Sequence, residues 1–185
     1  ISAKKKSCLV FVDECFIELV PQSNESISYL IKKHDNLFVL RSLTKSFGLA
    51  GIRVGYGLGS KQVVIVLQKI KIPWSVNGLA QEAGSIAIKN KSHLSKSKSI
   101  IKKESNFLKN KISKISGFEY YDSVTNFILI KTKKDSTKIQ KELIKHKILI
   151  RDCKNFRGLD NHFIRIAVKS HKDNLKLINA LEALR

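Results

Sequence analysis

At 185 residues and 43% apolar content, the chain has enough material for a real core, either as one ordinary domain or as one domain plus part of a second. The formal charge of +20 invites a polyanion partner, but lysine is spread along nearly every segment with no aromatic-studded basic stripe, so nucleic acid is not the expected ligand. Three cysteines without a CxxC pair exclude a disulfide framework and favour buried thiols in a reducing, cytoplasmic setting. No charge-free apolar run approaches membrane-spanning length, no signal peptide opens the chain, and no metal site is expected. The first residue is Ile1 and methionine is absent, so the chain reads as an interior segment with sequence missing upstream.

In chain order, Cys8-Leu9-Val10-Phe11-Val12 is a continuous apolar run, as expected of a strand buried on both faces. It ends in the acids Asp13-Glu14. Glu25 to Lys33 has helical spacing through Ile27, Leu30 and Ile31, and Leu37 to Leu40 is the next buried strand. A polar turn, Ser42-Leu43-Thr44-Lys45, follows, with Gly48, Gly51 and Gly55 close behind and Arg53 among them. Glycines at that density let a backbone turn sharply and approach a ligand, and two hydroxyls, a lysine and an arginine suit an anion. Arg53 to Leu58 reads as a third short strand, and Lys61 to Ile70 as a helix with Ser60 as N-cap. Pro73 interrupts the pattern over Ile72 to Asn77, and a second helix runs from Gly78 to about Ile88.

Strands alternating with helices at this spacing predict βαβ units and a largely parallel sheet, with ligands outside the carboxyl ends of the strands. Asp13 and the Ser42–Lys45 turn both fall there. From Leu94 to Ile115 the apolar residues Leu94, Ile101, Leu108 and Ile115 recur every seven residues on one long lysine-rich helix, which Gly117 ends. The rest predicts a small α+β unit. Its strands are Phe118–Tyr121, Asn126–Lys131, Lys147–Arg151 and His162–Val168, and its helices Thr137–His146 and Lys172–Leu184. Arg165 interrupts the last apolar strand, so it either reaches solvent from an edge strand or faces a cavity holding an anion.

Four motifs in order, Val12-Asp13-Glu14-Cys15-Phe16, Ser42-Leu43-Thr44-Lys45, Gly51-Ile52-Arg53-Val54-Gly55 and Phe163-Ile164-Arg165, resemble the fold type I pyridoxal-phosphate enzymes, the aminotransferase class I/II family. The resemblance spans the chain but only the C-terminal half of such an enzyme. It implies an α/β fold: the C-terminal part of a large cofactor-binding domain over residues 1–92, then a linking helix and small α+β domain over 93–185. Pro73-Trp74-Ser75-Val76-Asn77 and Ile150 to Asp160 are similar to threonine-phosphate decarboxylases of the cobalamin pathway, and histidinol-phosphate aminotransferases resemble the same span. Phosphate-bearing amino acids are the substrates so implied.

Pyridoxal 5'-phosphate is the cofactor that the resemblance implies. Lys45 would form the Schiff base with its aldehyde, through an amine made nucleophilic by deprotonation, which burial and nearby cations favour. Asp13 would pair with the pyridine nitrogen, while Ser42, Thr44 and Arg53 would hold the phosphate. Arg165 would bind the substrate carboxylate and Arg151 a second anion, with a solvent-exposed strand-end charge as the alternative for Arg151. Glu14 points the other way and receives no role. Phe16 departs from the tyrosine common in the family and cannot donate its hydrogen bond to the cofactor. Asn77 reaches the site or caps the helix at Gly78. The resemblance further implies a homodimer when full length. It also places a glycine-rich phosphate loop, a stacking aromatic and an asparagine upstream, without which this chain is expected to be inactive.

Overall fold

The computed structural model describes residues 2–21 and 25–184, which divide into two compact units, one up to Ser97 and one from Lys98. In the first unit α1 (Ser2–Lys5) precedes β1 (Val10–Asp13), and 3-10 turns at Ile17–Leu19 and Ser28–Lys32 lead to β2 (Leu37–Ser42). There follow α2 (Leu43–Ser46), β3 (Gly55–Gly59), α3 (Lys61–Ile70) and α4 (Gly78–Lys89), and then α5 (Lys91–Ile112), within which the division between the units falls. Ser60 caps α3 by accepting from the Val63 N–H, and Asn77 caps α4 by accepting from the Ala80 N–H at 2.8 Å. Between the two readings of Asn77, helix capping is the one seen.

The three strands order β1-β2-β3. β1 and β2 run parallel, with Asp13 opposite Leu40, so both carboxyl ends meet at one edge. β3 is antiparallel to β2, with Ser42 opposite Gly55, which departs from the largely parallel sheet expected. A parallel return needs a crossover helix of about a dozen residues or more; residues 43–54 hold only the single turn of α2, so the chain doubles back. The glycines of β3 make room for an aromatic ring: a Cβ on Gly57 would lie 2.1 Å from the Phe38 ring. That ring stacks on Phe11 at 5.6 Å.

β1 is not buried on both faces. Val10 and Val12 are half-buried, whereas Phe11 is 57% exposed and Asp13 is exposed. The reason is topological: β1 is the edge strand, and Phe11 and Leu9 lie on a face left open among the described residues. The helix expected over Glu25–Lys33 is only the 3-10 turn Ser28–Lys32, because Ser26, Ser28 and the Ile27 N–H are engaged with Glu14 or Arg41 instead. Leu43, Val54 and Ala80 form the buried cluster, where Gly84 leaves α4 just enough room beside Leu43.

In the second unit β4 (Phe118–Tyr120), β5 (Phe127–Thr132), α6 (Ser136–Lys145), β6 (Arg151–Asp152), β7 (Phe163–Ala167) and α7 (His171–Glu182) follow one another. The sheet order is β4-β5-β7-β6, antiparallel throughout. One face carries the core: Leu108 and Ile112 of α5, Ile128 and Ile130, Ile164 and Ile166, Ile139 and Leu143, and Leu177, Ile178 and Leu181. α5 is buried deepest toward its end, at Leu108 of the heptad series and at Ile112, where the helix stops short of the expected Ile115; Gly117, at φ +86, turns the chain afterwards. The strand expected over Lys147–Arg151 shrinks to Arg151–Asp152. Lys147 has φ 56, and the Ile148 N–H donates to Leu143 O at 3.0 Å, so these residues close α6 instead. Of the thiols, Cys153 is buried as expected, but Cys15 is half-buried and Cys8 exposed, since Cys8 precedes β1. Among the described residues no helix is long and apolar enough to cross a membrane.

Glu104 on α5 is only 4% exposed, and its Oε2 accepts from Asn174 Nδ2 at 3.0 Å and from His171 Nδ1 at 3.1 Å. Burial pushes its pKa up, but the bonds from Asn174 and His171 and the histidine charge outweigh this, leaving it below its ordinary 4.5. A depressed carboxylate contributes stability above the unfolded value that is lost as pH falls through the folded value. Lowering the pH below about 4.5 should therefore lower the protection factors of the α7 amides, measured against intrinsic exchange at the same pH, and Glu104→Gln should remove that acid dependence.

Candidate active site

At the shared carboxyl edge of β1 and β2, the Glu14 N–H donates to Leu40 O at 2.8 Å, so the chain leaves β1 in a fixed register. Asp13 Oδ1 then accepts from the Cys15 N–H at 2.8 Å. The bonds from Cys15 hold the Asp13 carboxyl below the usual range, and the nearby charge of Lys45 adds to this. Burial, with the Asp13 carboxylate close by, pushes the Cys15 thiol up to about 11, so it stays protonated. Glu14 faces the other way: it is 7% exposed and bound by Arg41 at 3.0 Å, by the Ser26 hydroxyl at 2.8 Å and by the Ile27 N–H at 2.8 Å. Every acceptor on it is engaged in holding two segments together.

β2 runs on to Ser42, whose Oγ accepts from the Thr44 N–H at 3.3 Å and lies 2.7 Å from Thr44 Oγ1. Both hydroxyls are buried. Two hydroxyls share two protons and their mutual bond uses one, so one proton is left for an outside acceptor. Lys45 sits in the single turn of α2 and is exposed, with its Nζ 5.7 Å from the centre of the Phe16 ring. Arg53 is likewise exposed, at φ 52, and its Nη1 donates to Ala50 O at 3.2 Å. The Leu43 N–H donates to Val54 O at 3.2 Å, which brings Arg53 beside the Ser42–Thr44 turn. Gly48, at φ +67, and Gly51 would place a Cβ in open space, so the backbone of this loop is approachable. Trp74 is 96% exposed.

Sequence reasoning brought Asp13 and the Ser42–Lys45 turn to one edge, and they stand there; the reversal of β3, which the sequence reading did not expect, brings Arg53 to the same edge. It missed Glu18, Ser46, Tyr56 and His93. Ser46 Oγ donates to Glu18 Oε2 at 2.6 Å, the Tyr56 hydroxyl to Glu18 Oε1 at 3.1 Å, and His93 Nε2 to Ser46 O at 3.1 Å. The signal was an acid inside the apolar run Phe16-Ile17-Glu18-Leu19-Val20, where an unpartnered charge would be costly.

In the second unit, Arg151 and Arg165 are register partners on β6 and β7. β7 lies between β5 and β6, so the edge-strand reading of Arg165 is excluded. Its guanidinium packs 4.9 Å from the Phe127 ring centre, and that of Arg151 lies 5.3 Å from Phe156 and donates to Asn155 Oδ1 at 3.0 Å. Among the described residues neither arginine is ion-paired with a carboxylate. Burial pushes the Cys153 thiol up, against the pull of both guanidinium charges.

An α/β unit with a lysine and a carboxylate at one strand edge, followed by an α+β unit with paired arginines, defines an enzyme-like scaffold. The pattern of aminotransferase class I and II matches residues 1–184, and the chain belongs to that family, one of pyridoxal-phosphate-dependent enzymes. It is 40% identical over 177 residues to a protein of Caldanaerobacter subterraneus subsp. tengcongensis named "Putative threonine-phosphate decarboxylase", covering 95% of this chain and 48% of that one. The histidinol-phosphate aminotransferase structure from Clostridium acetobutylicum superposes with a TM-score of 0.93 at 32% identity, over 99% of this chain and 56% of that one. That from Sinorhizobium meliloti, in complex with pyridoxal-5'-phosphate, is 24% identical with a TM-score of 0.85, over 95% and 48%. The chain thus spans about half the length of the curated relatives it matches.

Proposed function

We propose that this chain is part of a pyridoxal-phosphate enzyme acting on a phosphate-bearing amino acid, with decarboxylation of threonine phosphate as the reaction. The observation that carries the reading is the meeting of Asp13 and Lys45 at one strand edge, close enough for the lysine charge to act on the carboxylate. The residues fit the cofactor's chemistry. An exposed amine matches its aldehyde, a carboxylate held ionised matches its ring nitrogen, and one spare hydroxyl proton and Arg53 match its phosphate. The open space at Gly48 and Gly51 leaves this cradle unobstructed.

When bound, pyridoxal phosphate supplies an electron-accepting ring and an aldehyde for covalent attachment. Lys45 would hold it through Nζ, and as a free amine would hold or move a proton at that nitrogen. The Asp13 carboxylate would lie against the ring nitrogen and favour its protonated form by charge. Ser42, Thr44 and Arg53 orient the phosphate, the arginine through its planar fork. Arg165 takes the substrate carboxylate and Arg151 its phosphate.

Relatives named for a decarboxylase and for an aminotransferase both support a phosphorylated substrate, and the superposition on the Clostridium acetobutylicum aminotransferase favours histidinol-phosphate transamination as the second reading. The test is to purify the full-length gene product and assay threonine phosphate for released carbon dioxide against histidinol phosphate for amine transfer. Carbon dioxide release supports the first reading and amine transfer the second; protein that takes up no cofactor overturns both. Arg151→Gln should raise KM about tenfold for the phosphorylated substrate and little for its unphosphorylated analogue, whereas Arg165→Gln should raise both. Steady-state kinetics on the two substrates would separate these outcomes.

A further inference from the structure

Resting on that reading, we propose that Glu18 is a positioning residue for Lys45, acting through Ser46. A helix of four residues cannot stabilise itself, because its nucleus fixes several dihedrals for very few hydrogen bonds. The geometry of α2 must therefore be set from outside: Leu43 is packed at its start and bonded to Val54 O, and the polar contacts at its end fall on Ser46, the residue after Lys45. Ser46 is 2% exposed, its hydroxyl donates to Glu18 Oε2 at 2.6 Å, and its carbonyl accepts from His93 Nε2 at 3.1 Å. His93 also stacks on Phe47, with ring centres 5.7 Å apart. The short distance to Glu18 is that of a charge-assisted bond, the stronger kind.

Glu18 is itself held. Its second oxygen accepts from the Tyr56 hydroxyl on β3, and Tyr56 stands opposite Arg41 of β2, which pairs with Glu14 at 3.0 Å. Glu18 lies in the 3-10 turn Ile17–Leu19, directly downstream of Asp13, Cys15 and Phe16. One carboxylate thus ties the turn that follows Asp13 to the turn that carries Lys45, and to the third strand as well. The spacing of the ammonium from the Asp13 carboxylate depends on that tie.

The test compares Glu18→Ala, Glu18→Gln and Ser46→Ala in the full-length gene product. Two readouts are used: the rate at which pyridoxal phosphate becomes fixable on Lys45 by borohydride, followed by peptide mass spectrometry, and the affinity for pyridoxine phosphate, which lacks the aldehyde. Glu18→Ala and Ser46→Ala should each slow attachment about tenfold and leave pyridoxine phosphate affinity within about twofold. Glu18→Gln keeps an acceptor for Ser46 and should recover most of the rate. Parallel loss of both readouts, or an attachment rate unchanged in a folded Glu18→Ala protein, overturns the proposal. Amide exchange at Lys45–Phe47 needs no cofactor and should quicken about tenfold in Glu18→Ala. Faster exchange in a protein that never attaches the cofactor would support the tie while overturning the cofactor reading; unchanged exchange overturns the tie itself.

Discussion

Lys45→Ala should yield a colourless protein with no borohydride-fixable cofactor and a turnover lowered by about a thousandfold or more. Replacement of a group that both bonds the cofactor and moves a proton removes two contributions, and positioned proton transfer alone is worth about 10² to 10⁴ in rate. The change should cost little in stability, because the lysine is exposed and its contact with the Phe16 ring, at 5.7 Å, is at the weak end of cation–π distances. Thermal denaturation of the two cofactor-free proteins should thus be nearly the same, while the variant shows none of the visible absorbance of the loaded enzyme. Retention of the covalent product in Lys45→Ala would move the attachment to another lysine and end the assignment.

A marked loss of stability is expected from a polar change at Asn174. Its Nδ2 donates to Glu104 Oε2 and to Lys169 O, both at 3.0 Å, and its Oδ1 accepts from the Lys169 N–H at 3.0 Å. Asn174 is 1% exposed, so no solvent replaces these partners. Asn174→Ala would leave the buried Glu104 carboxylate with only His171, whose side chain is largely exposed, and would orphan two backbone groups. Removing a hydrogen-bond donor from a buried charge costs about 1.5 to 3 kcal/mol. Urea denaturation read on the second unit should show a loss of that order, and a midpoint shift worth under about 1 kcal/mol would contradict it.

Much of the candidate site's placement was legible because its signals are local. The apolar run ending in Asp13, the hydroxyl-rich turn before Lys45 and the glycines around Arg53 each declare a backbone conformation within a few residues. The same holds for Ser60 as a helix cap, where a side chain bonds an N–H three residues on, whereas the sequence left Asn77 open between capping and the site. Illegible were the contacts whose partners lie far apart along the chain. Glu18 meets Ser46 and Tyr56 across 28 and 38 residues, and Glu104 meets Asn174 across 70. No periodicity encodes such pairs.

By itself, then, the sequence determined the order and kind of most elements and the edge on which Asp13 and Lys45 stand, since hydrophobic period and turn chemistry act over one or two turns of chain; the family followed from the resemblance of its motifs. The tertiary structure decided the reversal of β3, the open face of β1, the interior place of Arg165 beside Arg151, and the carboxylate that holds the turn of Lys45. Each of these depends on which strand or side chain arrives from elsewhere to accept a hydrogen bond or cover a face. That is settled only when the whole chain has packed.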